Sequence, residues 1–369
     1  MKVLRPARLF AVLGALSLLL LAAIAIGLAW GPSTVSLREA LSVLFDAGST
    51  GPAADIVRRI RLPRVAVGAL VGASLSVAGV VVQALLRNPL ADPFVLGISG
   101  GAALGGVAVL SLGHALGLGA GAVPVAAFGG ALATTALLFG AAGVRGRLAA
   151  TTLLLTGVVF NAFASAAIVF LASLGGMAEG TSIFLWLIGN LASARSELLI
   201  PLAALFALGL GCALPLARTL NLLSLGDEAA EQLGVSVETA KRLLLFATAL
   251  MVGAAVSVSG LIGFVGLIVP HALRLVLGPD HRLLVPASAL AGAAFLVVCD
   301  AAARSVLPGR ELPVGAITAL AGGPLFLALM RRQQRRGLIA CAQSSRDSSS
   351  PAVSRGSALA PCSTASTLP

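Results

Sequence analysis

Arg61-Leu-Pro-Arg64 places two guanidinium groups on either side of a proline, a geometry fixed enough to dock a carboxylate. The same segment carries Arg38, Arg58 and Arg59 against Glu39, Asp46 and Asp55, so it is a basic patch that asks for an acidic partner. The competing reading is a long loop that tolerates arginine. Asp300 and Arg304 stand four apart at the end of an apolar run, the spacing of an i, i+4 ion pair, although a carboxylate in such a run is also where ion coupling would sit. His271, after Pro270, reads as a hydrogen-bonded structural group rather than a proton shuttle, and His114 and His281 lack metal-site partners in spacing. Cys212, Cys299, Cys341 and Cys362 show neither metal nor redox spacing. Lys2 and Lys241 are the two lysines and neither follows a P-loop pattern, so ATP hydrolysis would have to come from another polypeptide. Gly97-Ile-Ser-Gly100-Gly101 through Gly106 is small-residue spacing for close helix packing, not a dinucleotide turn. No catalytic set and no metal site emerges.

The elements that must position these residues are membrane helices. Of the 369 residues 58% are hydrophobic and 43 are glycine, while 11% are charged, too few to coat a soluble globule. Uncharged runs fall near 9–30, 65–86, 94–113, 117–143, 149–174, 198–217, 243–262, 283–299 and 312–330, and with a shorter tenth near 263–277 they give about ten spans in an all-α polytopic protein. The run 263–277 is short and interrupted by Gly263, Gly266 and Pro270, so 242–277 reads as a full helix turning into a discontinuous one. The net charge of +11 is mostly topological. The tail from Arg331 holds six arginines and one aspartate, and placing both termini in the cytoplasm puts Arg87, Arg145, Arg147, Arg218, Lys241, Arg242, Arg274 and Arg282 inside. Without interleaved aromatics and with no tyrosine, this is not a nucleic-acid surface.

Ser36-Leu-Arg-Glu39 is a capping-box pattern that starts a short surface helix in the basic segment. On the cytoplasmic side, Asp227 to Leu233 reads as a short helix stopped by Gly234, with Ser236 capping a second short helix that carries Glu238. Such a knob, about 226–240, is either a solvated connection or a docking element for a cytoplasmic protein. Asn88-Pro-Leu-Ala-Asp92-Pro93 is a tight turn. Asn161 and Ser165 are plausible lining residues of a path. Residues 1–336 form the transmembrane domain, and 337–369, rich in Ser, Ala and Pro, are expected to be a disordered cytoplasmic tail.

Read together, the stretch from RLPR through NPLADPFVLGISGGAALG (61–105), LGDEAAEQLGV from Leu225, GLIGFVGLIVPHALRLVLGPDHR from Gly260 and ELPVGAITALAGGPLFLALMRR from Glu311 resemble the FecCD-type permeases of iron-siderophore, haem and cobalamin importers of the ATP-binding-cassette (ABC) class. The resemblance covers about 10–332. It implies a type II importer permease with ten helices in the cytoplasmic (inner) membrane of a prokaryote. The implied partners are a second identical or homologous permease copy, two cytoplasmic ABC ATPase subunits, a periplasmic or lipoprotein substrate-binding protein, and membrane lipid. By motif position, Arg61, Arg64 and Arg304 would receive glutamates of the binding protein, and Leu225, Gly226, Asp227, Glu228, Glu231, Leu233 and Gly234 would couple to the ATPase. The chain would bind no cofactor of its own, the ATP being used by its partner, and would work by alternating access. Trp186 to Asn190 resembles an interfacial element of the family, with asparagine where a serine is expected. The rival reading is an ion-coupled secondary transporter, which needs buried acidic or histidine relays that the spans, Asp300 apart, do not offer.

Overall fold

Runs of Ala, Leu, Val and Gly without charge can satisfy their backbone groups in a bilayer only as helices, and helices are what form. The computed structural model describes residues 5–31, 35–46, 48–119, 121–142, 148–174, 177–192, 195–307, 310–328 and 331. The expected tail and the Arg145/Arg147 pair lie outside the described residues. Backbone contacts divide the chain into Met1–Gly322 and Gly323–Pro369.

The helices are α1 (Pro6–Ala29), α2 (Leu37–Phe45), α3 (Pro52–Asp55), α4 (Leu62–Leu85), α5 (Ile98–Leu112), α6 (Ala122–Ala142), α7 (Ala150–Leu174), α8 (Met177–Leu187), α9 (Leu199–Ala213), α10 (Ala217–Leu223), α11 (Asp227–Gln232), α12 (Val237–Ser259), α13 (Val265–Leu277) and α14 (His281–Ser305). A last apolar helix, α15, spans Val314–Ala328. Each of the expected runs holds an apolar helix. Among the described residues seven helices are long and apolar enough to cross a membrane, counting Pro52–Leu85 as one, while α5, α13 and α15 are shorter.

Two classes of helix are distinguished by what covers them. The most apolar window of α4 is 83% buried and that of α12 78%, whereas that of α1 is 6% buried. Inner helices approach closely because glycines face one another: a Cβ on Gly72 of α4 would overlap the Gly292 carbonyl of α14. Peripheral helices such as α1 and α7 leave Phe10, Leu18, Leu155 and Phe163 exposed, as a lipid or subunit neighbour requires.

The discontinuous helix is present: α12 ends at Gly260 (φ 69°), Phe264 takes φ 70°, and α13 begins at Val265. A second break was not expected. Pro93–Leu96 form a 3₁₀ turn capped by Gly97 (φ 82°), so α5 starts four residues later than the apolar run suggests. The two breaks meet, with Gly266 against Pro93 and Gly263 against Phe94. Gln83 of α4 donates to the carbonyls of Gly266 and Leu267 at 3.3 and 3.2 Å, and the first of these lacks a helical donor because Pro270 has no N–H. Ile56–Arg61 is π-helical and joins α3 to α4 without a gap. The capping box forms: the Glu39 backbone N–H donates to Ser36 Oγ, and the Ser36 backbone N–H donates to the Glu39 carboxylate at 2.8 Å. These bonds to its ionised form hold the Glu39 carboxyl below its usual value.

Candidate functional site

α4 and α14 each carry charge at both ends, and 24 residues of α4 separate its ends by about 36 Å. At the first end lie Arg61, Arg64 and Arg304, all at most 5% exposed. Arg64 donates from Nε to both carboxylate oxygens of Asp300 at 3.0 and 3.1 Å, and from Nη1 to Glu311 at 2.8 Å. Arg304 pairs with the other side of Asp300 at 3.1 Å and donates to the Gly27 carbonyl at 3.0 Å. Arg61 donates to the carbonyls of Leu28 and, at 3.0 Å, Ala29. The last carbonyls of α1 therefore receive two guanidiniums, and Gly31 leaves the room both need.

The Asp300–Arg304 pair expected from spacing is present, but it is half of a larger cluster of three guanidiniums and two carboxylates. Within it Asp300 is 1% exposed, whereas the Glu311 side chain is 41% exposed and forms the rim. Only part of the basic segment turns inward. Arg58 donates to the carbonyls of Val43, Asp46 and Ser49, closing the end of α2, while Arg59 pairs with Asp55 at the surface. Arg38 stays exposed. Glu311 as the partner of Arg64 could not be found from local spacing, since the two stand 247 positions apart.

At the opposite end, α11 follows Gly226 (φ 121°) and stops at Gly234 (φ 83°), whose left-handed backbone lets the Gly234 and Val235 N–H groups return to the carbonyls of Glu231 and Ala230. Leu225 and Leu233 flank α11 at 67% and 61% exposure, with Glu228 and Glu231 also exposed. The second short helix expected after Ser236 is instead the first turn of α12, and Ser236 makes no side-chain cap. The two short helices here are α10 and α11. A buried lysine holds the knob: Lys241 Nζ donates to Asp227 at 2.6 Å and to the Leu148 carbonyl at 2.7 Å. Glu238 accepts the Leu148 N–H at 2.9 and 3.0 Å, so the residue that begins the approach to α7 is clamped from both sides.

Asn161 donates to the Phe94 carbonyl at 2.9 Å and so steadies the break before α5; Ser165, one turn further along α7, is exposed. Trp186 lies at the end of α8, its ring over Gly106, and Asn190 N–H donates to the Ser259 carbonyl at 2.8 Å. The expected interfacial element is thus packed against the end of α12. His271 is buried, as a structural histidine would be. Asp280 caps α14 and is bound by Arg282 and Asn221, which pull its carboxyl down to about 2. Among the described residues no group of three or more His, Cys, Asp or Glu could hold a metal.

Residues 19–332 match the FecCD transport family. The chain belongs to that family. It is 43% identical over 312 residues to the cobalamin import system permease protein of Halobacterium salinarum, covering 85% of this chain and 82% of that one. It is 41% identical over 321 residues to the hemin transport system permease protein of Yersinia pestis, covering 86% and 95%. A solved inward-facing structure of a metal-chelate type ABC transporter superposes with TM-score 0.77 at 31% identity, over 88% of this chain and 99% of that one. This FecCD member is accordingly the membrane permease subunit of an ABC importer and not an enzyme; the ATPase is a separate subunit.

Proposed function

We propose that this permease imports a metal chelate of the siderophore, haem or cobalamin type across the cytoplasmic membrane, with both termini in the cytoplasm. The cargo class is supported by the similarity to permeases named for cobalamin and hemin. The observation that carries the ATP-driven reading is the knob at α11. Two leucines are held open to solvent at either end of a short helix whose base is fixed by a buried Lys241–Asp227 pair, as a surface made for another protein's groove would be. Leu225, Gly226, Asp227, Glu228, Glu231, Leu233 and Gly234 seat in the ATPase. Closure of the ATPase reaches α12 through Lys241 and α7 through Leu148.

The opposite end receives the substrate-binding protein. Arg61, Arg64 and Arg304 exceed their carboxylate partners by one charge, and the rim residue Glu311 is the one an incoming glutamate displaces from Arg64. A second permease copy covers the exposed face of α7, with Asn161 and Ser165 toward the path. The chain itself binds no cofactor.

The test is vesicle reconstitution with the ATPase and binding protein, measuring uptake of cobalamin, hemin and a panel of ferric siderophores. Uptake of one cargo that needs both ATP and the binding protein is expected. Gly234→Val, forced into a left-handed backbone, should lower transport per ATP hydrolysed several-fold. Uptake driven by an ion gradient instead would overturn the reading.

A further inference from the structure

Beside the knob, the ends of α4, α10 and α13 and the starts of α1 and α14 enclose a cavity of about 640 Å³. Three guanidiniums line it, from Arg8, Arg87 and Arg274. Their partners in the protein are few. Arg8 donates to the Leu277 carbonyl at 2.7 Å and Arg274 to the Gln83 side-chain oxygen at 2.8 Å, both neutral acceptors. Arg87 makes no hydrogen bond or ion pair among the described residues and lies over Gly226. A guanidinium has five N–H donors, so most donors on this wall are unassigned.

Asp280 is the cavity's one carboxylate, and it is already committed to Arg282 through contacts of 2.6 to 3.2 Å and to Asn221 at 3.0 Å. It does not neutralise the three arginines. The cavity also holds a buried orphan. His281 Nδ1 faces Asn221 Oδ1 at 2.7 Å, an oxygen that can only accept, so Nδ1 is the protonated nitrogen. Its Nε2 is buried with no partner and is an acceptor, so the three arginines and not this ring are the donors for an anion.

The walls between the arginines are apolar, from Ala84, Pro89, Leu277 and Pro279. One rim is the start of α1, the peripheral helix whose flank carries the exposed Phe10 and Leu18. A site with cationic donors at the interface level, apolar walls and a lipid-facing rim fits an anion that carries hydrocarbon.

We propose that this cavity binds the phosphate headgroup of an anionic phospholipid from the inner leaflet, beside the ATPase-coupling helix. The proposal rests on the membrane orientation given under Proposed function. Lipid is favoured over free phosphate because a small hydrophilic anion would leave the apolar walls unused, and one rim belongs to α1, whose flank is exposed and apolar.

The experiment uses the purified permease–ATPase complex, washed and offered phosphatidylglycerol, phosphatidylcholine of the same acyl chains, or inorganic phosphate, with retained lipid counted by native mass spectrometry. Phosphatidylglycerol should be retained in preference to phosphatidylcholine. Arg87→Gln and Arg8→Gln, both at exposed positions, should each weaken retention about fivefold, the worth of one arginine at an anionic surface. Arg310→Gln at the opposite end should change nothing. Equal retention of the two lipids, insensitivity to both substitutions, displacement of phosphatidylglycerol by millimolar phosphate, or its expulsion when the ATPase binds would each overturn the proposal. Chelate uptake by the same complex, reconstituted in vesicles with the binding protein, reads the import function separately, so uptake without lipid preference sinks this inference alone.

Discussion

The two ends of α4 carry arginines in similar number and use them in opposite ways. At the Arg64 end, three guanidiniums at most 5% exposed close on two carboxylates and on the last carbonyls of α1. At the Arg87 end, three guanidiniums line an open cavity whose one carboxylate is bound elsewhere. Charge composition alone does not distinguish a structural cluster from a binding surface; the supply of carboxylates within reach does. A buried ion pair with both partners present is nearly balanced, and removing one partner leaves an uncompensated charge.

The sharpest way to break that contrast is Asp300→Ala. Arg64 and Arg304 would then face each other across an apolar gap with only Glu311 at the rim. A loss of about 3–5 kcal/mol is expected, read as a large fall in thermal stability in detergent. Removing an arginine from the cavity end should leave that melt unchanged. If Asp300→Ala melts like the wild-type protein, the first end is hydrated and open, and the contrast disappears.

A smaller effect is expected from Lys241→Met, which keeps the stem but deletes the bonds to Asp227 and the Leu148 carbonyl. Because Asp227 is about one-third exposed, water can replace its lost partner, and the expected cost is about 1–3 kcal/mol. The more telling readout is coupling: ATP hydrolysis should persist while transport per ATP falls. Unchanged coupling would mean that the knob moves α12 without this pair.

Much of this arrangement could be read from sequence, and the limits have physical causes. Spans were legible because apolar runs in a bilayer have one solution, and the break after α12 was legible because Gly260 and Gly263 interrupt it. The break before α5 was hidden, since Phe94-Val-Leu is as apolar as a helix and only its contact with Pro93, Gly266 and Asn161 makes it a turn. Ser236 followed by Glu238 marks a helix start but not its length, so the first turn of α12 reads as a separate short helix. The arginines of 58–64 were legible as a patch but not in their direction. Their acceptors sit on α1, α2, α14 and the approach to α15, and no local pattern reports them.

The smallest predicted effect tests whether Asp280 truly stands aside from the cavity. Its carboxyl is held down to about 2 chiefly by the Arg282 side chain, against an ordinary value of 3.8. A lowered folded value means that the ionised form is the one the fold prefers. The stabilisation is therefore complete above about pH 4 and is lost as pH falls through about 2. Thermal unfolding of wild type and Asp280→Asn should differ by a constant small amount from pH 7 to about 4.5, and the two curves should converge below that. Convergence already between pH 6 and 5 would mean a carboxyl with a raised value, desolvated and not held by Arg282. The commitment of Asp280 to Arg282, on which the contrast between the two ends of α4 rests, would then fail.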